Sequence, residues 1–147
     1  MAVTNTHPKG FVLGLYKAVH NFNAGHTFKV ALMKTSYAFN ASTHSTLAAA
    51  IAGSKEIAAT GGYARKTIGS VAVALDSSGS TLVTGGNVTW TASTSAMVAT
   101  GAAIIYNDTA ASDPVVACID FGASYTTPAG ATFQINFTSG LFKGTPI

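Results

Sequence analysis

The chain has 147 residues, with eight Lys or Arg and five Asp or Glu, a formal charge of +3 at pH 7 and 48% hydrophobic residues. Charged residues make up 9% of it, against roughly 25% in average proteins, so its exterior must be covered by Ser, Thr, Asn and Gly or by another protein. One domain of this size buries roughly 68–70% of its unfolded surface, and the scattering of basic residues from Lys9 to Lys143, with only Arg65-Lys66 adjacent, speaks against a nucleic-acid-binding face.

Met1 to Gly10 is polar, has no apolar period and carries Pro8. It reads as an extended N-terminal arm, disordered unless something ties it down, as a neighbour in an assembly could, with residues 11–147 as a single β-rich domain. No basic-then-apolar leader is legible and no apolar run approaches the ~18–20 residues of a membrane span. The expectation is synthesis in a cytoplasm and no membrane partner.

Phe11, Leu15, Val19 and Phe22 recur at helical spacing, which predicts a short amphipathic helix over Phe11 to Phe22 with Lys17 and His20 off the face. Thr27 to Thr35 alternates, Phe28, Val30 and Leu32 one way and Lys29, Ala31 and Met33 the other, and reads as a strand. The Ala-rich stretch Thr46 to Ala58 predicts a second helix, capped from Ser42-Thr43-His44-Ser45 and closed by Gly61-Gly62. Shorter strands follow at Tyr63 to Ile68, Val71 to Leu75, Leu82 to Thr84 and Val88 to Thr91, separated by turn-forming Asp, Ser, Asn and Gly. Met97 to Asn107 and Val115 to Phe121 are apolar on both alternating faces, the pattern of strands covered on each side, and form the central hairpin. A last strand alternates through Phe133, Ile135 and Phe137. Together these predict a mainly β domain, an antiparallel sandwich or partly closed barrel with one or two short helices.

The chemistry is thin. Asp108 and Asp113 share a loop, where a solvated turn role outweighs that of a paired-carboxylate hydrolase. Asp120 interrupts an apolar strand and requires a hydrogen-bonding partner if buried. His7, His20, His26 and His44 show no metal-ligand spacing, no nucleophile elbow is present, and the paired glycines lack the spacing and lysine of a phosphate loop. No catalytic, metal or cofactor site is expected. Cys118, alone in an apolar run, reads as a core residue. Trp90 reads as a core side chain opposite Ile104 or Tyr106, or else as an interface anchor or a sugar-stacking ring.

Short motifs occur in the order Tyr16-Lys17, Lys29-Val-Ala-Leu32, Ser36-Tyr37, Gly62-Tyr63, Val88-Thr-Trp-Thr91, Ile105-Tyr-Asn-Asp-Thr109 and Ile119-Asp-Phe-Gly122. Over Tyr16 to Phe137 this order resembles a group of small virion structural proteins of tailed bacteriophages and prophages. The resemblance implies a non-enzymatic capsid decoration, or cement, protein on the virion surface: a homotrimer that clamps the major capsid protein lattice by burying apolar surface and pairing strand edges. This chain departs from it in a longer N-terminal arm and fewer acidic residues. Val3, Thr4, His7, Pro8, Phe11, Trp90 and Phe142 are the candidate interface residues. A tail, neck or fibre-base protein is the second structural reading, and a carbohydrate-binding module using Trp90, Tyr106 or Tyr125 is the alternative from another class.

Overall fold

A computed structural model describes residues 4–137 and 140–144. The elements in chain order are β1 (Thr4–Thr6), α1 (Phe11–Tyr16), β2 (Phe28–Lys34), α2 (Leu47–Ile51), β3 (Lys66–Thr67), β4 (Ala72–Leu75), β5 (Thr81–Thr84), β6 (Val88–Thr91), β7 (Met97–Asn107), β8 (Val115–Thr127), β9 (Thr132–Ile135) and β10 (Phe142–Gly144). The fold is mainly β and sandwich-like; among the described residues all strand pairs are antiparallel and no sheet closes into a barrel.

A five-stranded sheet, β1-β8-β7-β2-β3, is built around the β7–β8 hairpin. Both hairpin strands are buried on both faces, from Ala102 to Asn107 and from Val115 to Ile119, as their apolar runs require. One face packs Phe28, Val30, Leu32, Ala103 and Ile105 against Val83, Val88, Trp90 and Ile135, which come from a β10-β5-β4 sheet and a β6-β9 ribbon. The other face packs Ala31, Met33, Ile104, Tyr106 and Cys118 against Leu47 and Ala50 of α2. The alternation read along β2 is therefore a division between two cores. Burial pushes the Cys118 thiol up to about 12, which keeps it an inert core group.

Both helices are shorter than their apolar spacing predicts. In α1 the chain turns at Ala18, whose φ is +55°; Val19 N–H bonds back to the Gly14 carbonyl and Ala18 N–H to the Leu15 carbonyl, at 2.9 and 3.1 Å. That paired arrangement is a Schellman stop with alanine where glycine normally sits. Ala18→Gly should therefore stabilise the fold by about 1 kcal/mol by removing the Cβ penalty of the left-handed region, read as a raised urea midpoint. α2 starts where Thr46 Oγ1 accepts the Ala49 N–H at 3.3 Å and ends before Gly53 and Ser54, at φ +72° and +57°.

β8 runs past Gly122 instead of stopping there. Its register with β7 jumps from Ala102↔Asp120 to Thr100↔Tyr125, a bulge in which Gly122 takes φ +66°. Asp120 is exposed, and its carboxylate accepts the Gly122 N–H at 2.8 Å. Beyond the short β3, the outer edge of β2 is satisfied by Tyr63, whose hydroxyl accepts the Leu32 N–H at 2.9 Å and donates to Glu56 at 2.6 Å. Arg65 completes that site with two bonds to the Glu56 carboxylate, 2.8 and 2.7 Å. Burial works to raise the Glu56 pKa, but the Arg65 and Tyr63 hydrogen bonds win and hold it below the usual value.

Candidate docking surface

The N-terminal segment is paired from Thr4 onward. Thr4, Asn5 and Thr6 pair with Asp120, Ile119 and Cys118, making β1 an edge strand of the main sheet; Val3 lies outside the described residues. After β1, His7 Nδ1 sits 2.8 Å from the Val116 carbonyl, which can only accept, so the ring carries its proton there. Pro8 is buried, and its carbonyl accepts the Phe11 N–H at 3.0 Å as α1 begins.

His7 stacks on Phe11 with centroids 4.6 Å apart, and Phe142 stands edge-on to both, at 5.3 and 5.1 Å. Three candidate interface residues from opposite ends of the chain thus form one aromatic cluster, which joins β10 to α1. Phe11 is buried in the chain's own core, while His7 and Phe142 are half-buried.

Trp90 lies elsewhere and is fully buried. Its indole N–H donates to the Ala64 carbonyl at 2.7 Å, and its cross-strand partner is Phe133. Ile104 and Tyr106 belong to the opposite core, which corrects the partners read from sequence. Trp90 and Phe11 are both buried in the chain's own core, and of the two it is Phe11 that underlies the exposed face of α1.

The surface there is apolar. Turned away from Phe11, α1 exposes Val12, Leu13 and Tyr16 at 53, 56 and 86%. Beside it, a groove of about 470 Å³ is lined by Leu15, Phe22, Val73, Val83 and Phe142. β4, the edge of its sheet, is exposed at all four positions, with Val73 at 39% and Leu75 at 72%. Natural edge strands are usually guarded by charge, proline or a bulge, and Ala72-Val-Ala-Leu75 has none of these. The neighbouring charges are tied together: Asp76 meets Lys143 at 2.6 Å, and this contact, with hydrogen bonds from Ser78 and Ser80, holds its carboxyl well below the usual range.

The sequence missed these exposed residues although a signal was present. Val12, Leu13 and Tyr16 are apolar but fall off the Phe11-Leu15 stripe, and an apolar residue off the buried face of a short helix must meet either water or a partner.

A second groove of about 470 Å³ is lined by Phe121, Tyr125, Phe133, Asn5, Gln134 and Asn136, among others. Asp108 is engaged by Lys29 at 2.7 Å, while Asp113 takes a left-handed turn, φ +46°, and its carbonyl accepts the Leu47 N–H at 2.9 Å. The Asp108 carboxylate and the Asp113 backbone thus serve local structure. Among the described residues no three His, Cys, Asp or Glu side chains come together. No family model, no curated protein and no solved structure matches the chain.

Proposed function

We propose that this chain is a bacteriophage virion structural protein of the capsid decoration type, a homotrimer that binds and stabilises the major capsid protein lattice. The observation that carries the reading is the unguarded apolar edge β4 beside the exposed face of α1, on a chain with only 9% charged residues. An edge of this kind offers unpaired backbone donors and acceptors to a strand from another subunit, and the apolar side chains around it gain by leaving water. The motif order Lys29-Val-Ala-Leu32, Val88-Thr-Trp-Thr91 and Ile119-Asp-Phe-Gly122 supports the same class.

Light scattering after size exclusion should give a trimer mass, and the protein should bind expanded capsids. Leu75→Lys and Tyr16→Ala should leave the unfolding midpoint unchanged and weaken capsid binding by about tenfold or more, since each removes exposed apolar contact area. A clean monomer that ignores capsids sinks the proposal. Electron microscopy of the native particle separates a lattice protein, present in many copies, from a tail, neck or fibre-base protein present in few.

The Tyr125 groove favours a second reading, a carbohydrate-binding module. It offers aromatic faces and amide groups of the kind that bind sugars, whereas Trp90 and Tyr106 are buried and cannot stack on a ligand. Silence on a glycan array would end it.

A further inference from the structure

The connection between α1 and β2, residues 17–27, meets the main sheet at Asn107, the buried last residue of β7. The Asn107 Oδ1 accepts the Thr109 and Ala110 backbone N–H groups at 3.1 and 3.3 Å. Two donors at this atom fix which end of the amide is oxygen. The NH2 end therefore faces the connection, where it lies 2.9 Å from the Val19 carbonyl, 2.9 Å from His26 Nδ1 and 3.4 Å from His20 Nδ1. The Asn21 N–H also points at His26 Nδ1, at 3.4 Å. An amide NH2 can only donate and has two hydrogens, which the Val19 carbonyl and His26 Nδ1, both at 2.9 Å, take; His20 Nδ1 faces the same donor from 3.4 Å, so the tautomer with the proton on Nε2 suits both rings.

His20 is buried among aromatic rings, which suits a neutral imidazole. Its ring packs on Phe11 and Phe22, with centroids at 5.4 and 6.2 Å, and a Cβ on Gly14 would come within 3.0 Å of it. The ionisable groups around the site offer no stabilising partner. Lys17, at the end of α1, lines the same hollow; His26 lies across Asn107, and His7 lies on Phe11. On the sheet side Asp108, whose N–H bonds the Thr27 carbonyl, is already paired with Lys29 at 2.7 Å. Among the described residues neither ring joins an ion pair.

We propose that Asn107, His20 and His26 form an acid-released latch that holds residues 17–27 against the end of β7. A proton taken up at Nδ1 turns acceptor into donor, so that donor faces donor and the tie becomes a repulsion. Burial first, and the neighbouring His26 second, hold the His20 pKa down from 6.5 to about 4. A depressed folded-state pKa means that the closed form is fully favoured above 6.5 and loses that advantage as pH falls toward about 4. Release would free Phe22 from its stack on Phe28, 4.5 Å away, and reshape the groove that Phe22, Leu15, Val73 and Phe142 line. The latch rests on the geometry of the connection and stands whether or not that groove binds a capsid.

The test uses the full chain and nitrogen-resolved NMR of the histidine rings. At pH 7 both rings should be in the Nε2–H form. Between pH 7 and 4, amide protection factors over residues 17–27 should fall by about tenfold or more while those of β7 and β8 stay high. His20→Phe, which keeps the ring packing, should blunt the response, and Asn107→Asp, which presents an acceptor to the rings, should move the His20 titration upward. A proton on Nδ1 of either ring at pH 7 overturns the latch. So does protection over 17–27 that stays flat until the whole chain unfolds, and both of these readings come from the unmutated protein even if a variant fails to fold.

Discussion

Trp90→Ala should cost about 3–5 kcal/mol, the range for emptying a fully buried tryptophan site. The indole fills the space between the main sheet and the β6–β9 ribbon, packing with Val88, Ile105 and Ile135 in one cluster. Its removal also strands the Ala64 carbonyl, which accepts the indole N–H at 2.7 Å. Trp90→Phe separates the two contributions: it keeps most of the apolar volume and loses the donor, so its cost should be about 1–3 kcal/mol. Urea unfolding of both variants measures this. Because domains are stable by only about 5–15 kcal/mol, the alanine variant should lose about a fifth or more of the total. A loss within about 0.5 kcal/mol of zero, the size of a typical surface change, would mean that Trp90 does not centre this core.

Gly61→Ala should be the second large loss, about 2–4 kcal/mol, from a left-handed backbone and a steric clash acting together. Gly61 has φ +64°, and a Cβ there would lie 2.7 Å from the Ser95 carbonyl oxygen and 2.8 Å from that of Ala96. These are backbone atoms of the β6–β7 connection, which cannot swing aside as a side chain would; the Gly61 carbonyl in turn accepts the Ser93 N–H at 3.0 Å. Gly53 supplies the control, because its φ is +72° but a Cβ would meet nothing within 4 Å. Gly53→Ala should thus cost only about 1 kcal/mol. Equal midpoints for the two variants would show that close approach adds nothing at Gly61.

What was legible in the sequence follows from what the residues report. β7 and β8 are apolar on both faces because they are covered on both, and β2 alternates because its two sides enter different cores, so these strands could be read directly. The helices were read too long because side-chain spacing carries no information about backbone: Phe11, Leu15 and Phe22 remain apolar across the turn at Ala18, and an alanine gives no sign of a positive φ. The opposite error shortened β8, since Gly122 looks like a stop when it is the hinge of a bulge. Gly61-Gly62 reads as the close of the second helix, which in fact ends at Ile51; the reason for glycine there is the approach of two connections, which only the fold reveals. His7, Phe11 and Phe142 lie far apart in sequence, and their mutual contact depends on β10 pairing with β5. The grouping of His20, His26 and Asn107 had no signal at all, being assembled from positions 81 and 87 residues apart in sequence.

Strand pairing here joins distant parts of the chain. β1 meets β8 with Thr6 opposite Cys118, β10 meets β5 with Phe142 opposite Val83, and the Asn5 side chain bonds the Leu141 carbonyl across 136 positions. During synthesis, then, the first strand has nothing to pair with until most of the polypeptide has been made. Such non-local closure places a fold among those that mature in milliseconds to seconds rather than microseconds. Through that interval the apolar strands are exposed to other nascent chains, so yield should be sensitive to expression rate and temperature: slow synthesis in the cold favours closure onto the chain's own sheet, and rapid accumulation favours aggregates.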